Sequence, residues 1–145
     1  MKKIDYPRIV SLFVALIIFA GIADAETIKN KETKKFRTCM ANVDFSAMKN
    51  SQWLNCYMEE FQRQDEFLKS EYQKLISRIP DEAKPNLIKA QKVWNEFRDQ
   101  WCKFEETLPM APNPYVNQAA CLVEITIDQK NKIKDTYPNY PSKKQ

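Results

Sequence analysis

The chain has 145 residues, about one domain in length, with 43% hydrophobic residues, 12% aromatic residues and a net charge of +4. It contains no His and a single Gly, Gly21. These counts exclude Ser-His and Cys-His nucleophile pairs, His-ligated metal sites and, after residue 25, a glycine-rich phosphate loop. They also disfavour β-hairpin folds. Because nucleophile pairs, His metal ligands and a phosphate loop are all missing, we expect a protein that is not an enzyme and that has no cofactor and no metal.

Residues 1–25 have the pattern of a secretory signal peptide. Three basic residues precede an apolar run over residues 9–23, which is shorter than the roughly 20 residues of a membrane span. The sequence Ala-Asp-Ala at 23–25 fits the small-x-small cleavage pattern. We expect cleavage before Glu26, a periplasmic or secreted location, and no stable membrane insertion afterwards. The alternative is an uncleaved anchor helix.

All four cysteines lie after the predicted cleavage site. An even number of cysteines in a small exported chain indicates two disulfides. Free thiols and a metal site are weaker alternatives, because no two cysteines have C-x-x-C spacing and the compartment is oxidising. The four residues are Cys39, Cys56, Cys102 and Cys121.

Apolar residues repeat at helical spacing in three segments after residue 50. In the first, from Ser51 to Ile79, steps of three and four residues continue until Pro80, which ends the helix. Asp65 is the one polar member of this stripe. The residues expected to face the core are Leu54, Met58, Phe61, Asp65, Leu68, Tyr72, Leu75 and Ile79.

The second predicted helix starts after an N-cap, Asp81, and ends at Pro109. A stiff Pro-rich connector, residues 109–114, leads to a third helix over about residues 116–135, whose apolar pattern Gln129 and Lys130 interrupt. The second stripe expected to face the core is Leu87, Ala90, Trp94, Phe97, Trp101, Phe104 and Leu108, and the third is Ala119, Leu122, Val123, Thr126 and Ile133.

These elements predict an all-α fold, a small antiparallel three-helix bundle with two disulfides. We expect a flexible basic leader over residues 26–38, a helical domain over 39–135 and a loose tail over 136–145. Cys102 and Cys121 lie about equally far before and after the Pro-rich connector, at matching heights on neighbouring helices. The favoured pairing is therefore Cys39–Cys56 with Cys102–Cys121, and Cys56–Cys102 remains the alternative.

Counting outward from Pro80 places Asp65 and Arg98 at similar heights on antiparallel helices. We predict a partly buried, bidentate ion pair between them, with Gln91 completing a structural polar cluster. Tyr72, Trp94 and Trp101 are expected in the core. The acidic residues Glu59, Glu60, Asp65 and Glu66 are expected on a solvated helix face.

Three motifs resemble the lysozyme inhibitor LprI family. They are Asn55-Cys56 followed by Asp65, Leu68 and Tyr72; Q-x-x-W-x-x-F-R-D-x-x-C from Gln91 to Cys102; and Cys121, Leu122 and Thr126. The resemblance covers about residues 39–133 and implies a small exported helical protein that binds a lysozyme and protects the cell wall. The chain departs from the family pattern in its Pro-rich connector and at Gln129, where the family usually has Arg.

The resemblance implies a protein partner, and two hypotheses describe it. The first is a lysozyme blocked by a rigid surface, with candidate target-binding residues in the connector region at Asn113, Tyr115 and Asn117. The net positive charge disfavours long-range attraction to basic lysozymes. The second is a periplasmic interaction module or an accessory of an envelope complex without inhibitory activity. Nucleic acid is not expected as a partner, because the charges of both signs are interspersed.

Overall fold

The computed structural model describes residues 31–44, 50–109 and 113–140. The predicted signal peptide, most of the basic leader and part of the Pro-rich connector lie outside these residues. Within them the chain forms four α-helices and no strand, which confirms the all-α prediction. The helices are α1 (Lys34–Ala41), α2 (Asn50–Ile76), α3 (Lys84–Glu106) and α4 (Pro114–Thr136), with short 3-10 helices at Asp81–Ala83 and Tyr137–Asn139.

Helix α1 is the additional helix relative to the predicted three, and it begins inside the segment expected to be a flexible leader. The Thr33 hydroxyl caps it by accepting a hydrogen bond from the backbone N–H of Phe36 at 3.1 Å. Phe36 is buried and its ring lies 5.0 Å from that of Tyr57 on α2. Apolar contact and a capping hydroxyl therefore order a stretch whose many lysines suggested a mobile segment.

The two ends of α3 differ in detail from the prediction. The 3-10 turn at Asp81–Ala83 comes between Pro80 and the helix, so Asp81 is not the N-cap, and α3 begins at Lys84 with Pro85 in its first turn. At the next connection, the Asn113 side chain accepts a hydrogen bond from the Tyr115 N–H at 2.9 Å and starts α4 at Pro114, slightly earlier than predicted.

Helix α4 is the central element and packs against both α2 and α3. The pair Cys102–Cys121 lies near one end of the α3–α4 contact and the pair Gln91–Gln129 near the other, so these two helices are antiparallel. The turn at Pro80 makes α2 antiparallel to α3 as well, and α2 and α4 therefore run in the same direction. Leu68, Leu75 and Ile79 form the main apolar core with Ile133.

The predicted core stripes are right for the second half of α2 and for much of α4, but wrong for most of α3. Phe97, Trp101 and Phe104 are about half exposed, whereas Arg98 and Cys102 are the buried residues of this helix. In the first half of α2 the buried face is also displaced, because Met58 is exposed and Glu60 is buried. None of the helices in the described parts of the chain is long and apolar enough to span a bilayer.

Candidate functional site

A strip of apolar side chains runs along the outer side of α3. Val93, Phe97, Trp101 and Phe104 follow one another at steps of three and four residues, so they share one face of the helix. Their exposed fractions lie between 45% and 54%. The Trp101 ring lies 5.9 Å from that of Phe97 and 5.6 Å from that of Phe104, so the three rings form one continuous aromatic surface. We call these four residues the α3 strip.

The α3 strip faces away from the bundle because other residues fix the inner side of the helix. Cys102 is fully buried and bonded to Cys121 on α4. Arg98 is also buried and contacts α2. Phe97 and Trp101 each precede one of these inward residues by a single position, a rotation of about 100°. The expectation that Trp101 belongs to the core is therefore wrong. Trp94 packs against the core but is only partly buried.

The α3 strip continues into a shallow groove towards the start of the helix. The groove has a volume of about 600 Å³ and is lined by Ala90, Val93, Trp94 and Phe97, with Asn86 and Lys89 at its edge. Large contiguous apolar surfaces on a small protein mark sites that contact other proteins, membranes or ligands. Trp and other aromatic residues also contribute most to binding energy at protein interfaces.

Asp65 and Arg98 meet between α2 and α3, in a geometry that differs from the predicted bidentate pair. Arg98 Nη1 donates to Asp65 Oδ1 at 3.1 Å, while its Nε donates to Asp99 Oδ1 at 2.9 Å. The guanidinium carbon lies 5.1 Å from the centre of the Phe61 ring and 5.2 Å from that of Trp94. Two carboxylates and two aromatic rings therefore hold the Arg98 guanidinium in place.

Gln91 does not bond to Arg98 as the predicted cluster required. Its amide donates to Asn95 at 3.2 Å and accepts from Gln129 at 3.1 Å, which ties α3 to α4. Gln91, Asn95 and Arg98 nevertheless line one half-open cavity of about 400 Å³, which faces Asp65 and Tyr72 across the gap. Burial raises the pKa of the Tyr72 hydroxyl, which stays protonated at neutral pH.

A second polar network, which the sequence reasoning missed, centres on Glu60. This residue is fully buried, so the expectation that it lies on a solvated face is wrong. Its carboxylate accepts from the Thr33 N–H at 2.7 Å, the Thr33 hydroxyl at 2.6 Å and the Gln64 amide at 2.7 Å. Arg63 Nε adds a fourth hydrogen bond at 3.1 Å. The network continues to α4, where the amine of the buried Lys130 donates to Gln64 at 2.8 Å.

Opposing effects set the pKa values in this network. Burial favours the neutral form of Glu60, but the hydrogen bonds from Thr33, Gln64 and Arg63 outweigh it and leave the pKa of this carboxyl below its usual range. Burial likewise lowers the pKa of the Lys130 amine, and the attraction of Glu60 only partly restores it. Glu60 is thus an anion that joins α1, α2 and α4, not a group prepared for proton transfer.

The two disulfides are Cys39–Cys56, with Cα atoms 5.8 Å apart, and Cys102–Cys121, with Cα atoms 5.5 Å apart. This is the pairing that the sequence favoured, and it leaves no free cysteine among the described residues. The first bond joins α1 to α2, and the second joins α3 to α4.

Three residues were expected to contact the target from a stiff connector, but they lie at the start of α4. Asn113 caps the helix, and its carbonyl also accepts from the Asn117 N–H at 3.0 Å. Tyr115 is exposed. Of the three, Tyr115 is the one whose side chain stands out from the surface, and it lies on a different helix from the α3 strip.

The described segments contain no group of His, Cys, Asp or Glu side chains arranged to hold a metal ion. Neither a curated protein nor a solved structure matches the chain. One family profile does match, that of the lysozyme inhibitor LprI, over residues 39–131. This range contains α2, α3, both disulfides and most of α4, which are the elements that build the surfaces described above. The chain belongs to the lysozyme inhibitor LprI family.

Proposed function

We propose that the protein is an exported lysozyme inhibitor that binds its target through the α3 strip and thereby protects the cell wall. Family membership supports the choice of target. The observation that carries the choice of surface is the continuous exposed aromatic face of Phe97, Trp101 and Phe104. The two disulfides fit an exported protein, because such bonds persist in the periplasm and outside the cell.

The shape of the α3 strip suits the blocking of an enzyme cleft. From Val93 to Phe104 the helix rises by about 17 Å, so the strip is a narrow convex ridge that presents rings along its length. An elongated saccharide-binding cleft is concave, and a ridge that occupies it would exclude the substrate. Helix α3 is held by a disulfide and by the Arg98 contacts, so little conformational freedom is lost on binding.

Apolar burial, rather than charge, drives this association. The chain carries a net charge of +4, which gives no long-range attraction to a basic lysozyme. Glu105, whose carboxylate accepts a hydrogen bond from the Trp101 indole at 3.0 Å, provides a local acidic group at the strip. We therefore expect an affinity that varies little with salt concentration and a negative heat-capacity change on binding.

The test is a titration of lysozymes of several types with the oxidised protein, residues 26–145, in a cell-wall hydrolysis assay. We expect inhibition of at least one type and a loss of about 30-fold or more in affinity for Trp101→Ala, as for an interface hot spot. Ile88→Ala is the matched control, because Ile88 is equally exposed on the same helix but lies on the side opposite Phe97.

The outcomes separate the two parts of the proposal. Absence of inhibition at large molar excess against every lysozyme type would reject the inhibitor function. Inhibition that Trp101→Ala leaves unchanged, with a native circular dichroism spectrum, would reject the α3 strip as the contact surface. The same lysozyme titration with Tyr115→Ala tests the start of α4 as the alternative contact surface.

The second candidate function is a periplasmic interaction module or an accessory of an envelope complex. The α3 strip favours it equally, since an exposed aromatic ridge fits a protein partner of any kind. Affinity capture from envelope extract distinguishes the two functions. A single stoichiometric envelope protein that Trp101→Ala releases, without any hydrolase, favours the module.

A further inference from the structure

The cavity between α2 and α3 is separate from the α3 strip. Gln91, Asn95 and Arg98 line it from α3. Around the axis of that helix they lie about 100–160° away from Phe97, so the cavity opens on a different side of the molecule. Its volume of about 400 Å³ falls within the range of about 300–1,000 Å³ that is usual for small-molecule sites.

The charged groups of the cavity neutralise one another. Asp65 accepts from Arg98 at 3.1 Å and from the Lys69 amine at 2.7 Å, and Arg98 also bonds to Asp99 at 2.9 Å. Two cations therefore face two anions at hydrogen-bonding distance. The cavity offers no uncompensated charge to a phosphate, a carboxylate or a metal ion.

Neutral polar groups in the same cavity keep unused hydrogen-bonding capacity. Among the residues that the structure describes, the Tyr72 hydroxyl and the Gln73 amide have no hydrogen-bond partner. Asn95 uses its carbonyl oxygen to accept from Gln91, and no described residue accepts from its amide N–H groups. The side chains of Asn95 and Gln73 are exposed at the open side of the cavity, where a ligand can reach them. Each side-chain amide offers a donor and an acceptor in one plane, and Tyr72 contributes a hydroxyl that both donates and accepts.

We propose that this cavity binds a neutral saccharide unit through Tyr72, Gln73 and Asn95. A sugar carries several hydroxyl groups that each donate and accept, and it carries no net charge, which matches both the unused amides and the internally compensated ions. Tyr72, which also lines the cavity, is only partly buried, so its ring provides an apolar contact for a sugar ring beside these groups. This inference does not depend on lysozyme inhibition, because it concerns different residues and a different ligand.

The experiment uses the oxidised protein, residues 26–145, without any lysozyme. Ligand-observed NMR follows its titration with a disaccharide of N-acetylglucosamine and with cellobiose as neutral probes, and with acetate and inorganic phosphate as charged probes. We expect saturable binding of at least one neutral probe and none of the charged ones. Asn95→Ala and Gln73→Ala should each weaken binding about 2–10-fold, the effect of one lost hydrogen bond.

Two matched variants show whether the site is the cavity. Gln100→Ala removes an exposed amide from the same helix as Asn95 but outside the cavity, and Trp101→Ala removes the central ring of the α3 strip. Both should bind the sugar as the unmodified protein does. The proposal is overturned if no neutral probe binds up to its solubility limit or if charged probes bind better. Sugar binding that is lost in Trp101→Ala but kept in Asn95→Ala also overturns it.

Discussion

Replacing Glu60 by Ala tests whether the buried anion holds the first helix onto the bundle. The substitution removes four hydrogen bonds, of which those to Thr33 and Gln64 are 2.6–2.7 Å long. It also leaves the Lys130 amine buried without the nearby anion. Removing one partner from a buried charged network costs about 3–5 kcal/mol. At about 3–5 °C per kcal/mol for a domain of about 120 residues, Tm should fall by about 10–25 °C.

Glu59→Ala is the control for this experiment. Glu59 is the neighbouring acidic residue, is 63% exposed in its side chain and contacts Arg63 at 3.4 Å, so its loss should cost less than about 1 kcal/mol. Urea unfolding followed by circular dichroism at pH 7 measures both variants, with unchanged slopes as a check on two-state behaviour. If the two variants differ by less than 1 kcal/mol, Glu60 does not have the stabilising role that its contacts indicate.

Three further predictions concern Arg98, the pH dependence of Glu60, and Thr126. Arg98→Ala should cost about 2–4 kcal/mol because it removes the hydrogen bonds to Asp65 and Asp99 and empties the space between two aromatic rings. Asp99→Ala should cost under about 1 kcal/mol, and thermal unfolding compares the two variants. The lowered pKa of Glu60 stabilises the fold above the ordinary value of 4.5, and this contribution is lost as pH falls through the folded-state pKa. Urea unfolding at a series of pH values below 4.5 should therefore show a shallower decline for Glu60→Gln. Thr126→Val should raise stability by about 1 kcal/mol in urea unfolding, since the fully buried Thr126 hydroxyl has no partner among the described residues.

The sequence predicts the elements of this fold well because local signals set their bounds. Pro80 and Pro109 mark the ends of two long helices, and steps of three and four residues mark their lengths. The same signals do not reveal which way an apolar stripe faces. The stripe of α3 is as regular as that of a core helix, but it lies on the outside, and a surface that serves a partner has the same periodicity as one that serves the core.

The cysteines carry the missing information about orientation. A cysteine bonded to a neighbouring helix must face that helix, and residues four positions apart share its side. Starting from Cys56, this rule reaches Glu60, Gln64 and Leu68, all of them buried. The signal for the Glu60 network was therefore present in the sequence. What spacing could not show is the remote partner, because Lys130 lies 66 residues after Gln64.

Helix α3 is attached to the bundle by contacts that leave its aromatic face exposed and free to bind a partner. A helix in a small bundle is ordinarily held by burying its apolar stripe, and a stripe used in this way cannot also bind a partner. Here the Cys102–Cys121 bond, the Arg98 contacts and the Gln91–Gln129 amide pair hold the inner side of α3. Covalent and polar contacts thus add to the limited apolar packing of Leu87 and Trp94 against the core, and they leave the aromatic face of the helix exposed in a fixed orientation. A surface of this kind is costly for a protein that acts alone, because it favours aggregation, and it is useful for one whose task is to bind.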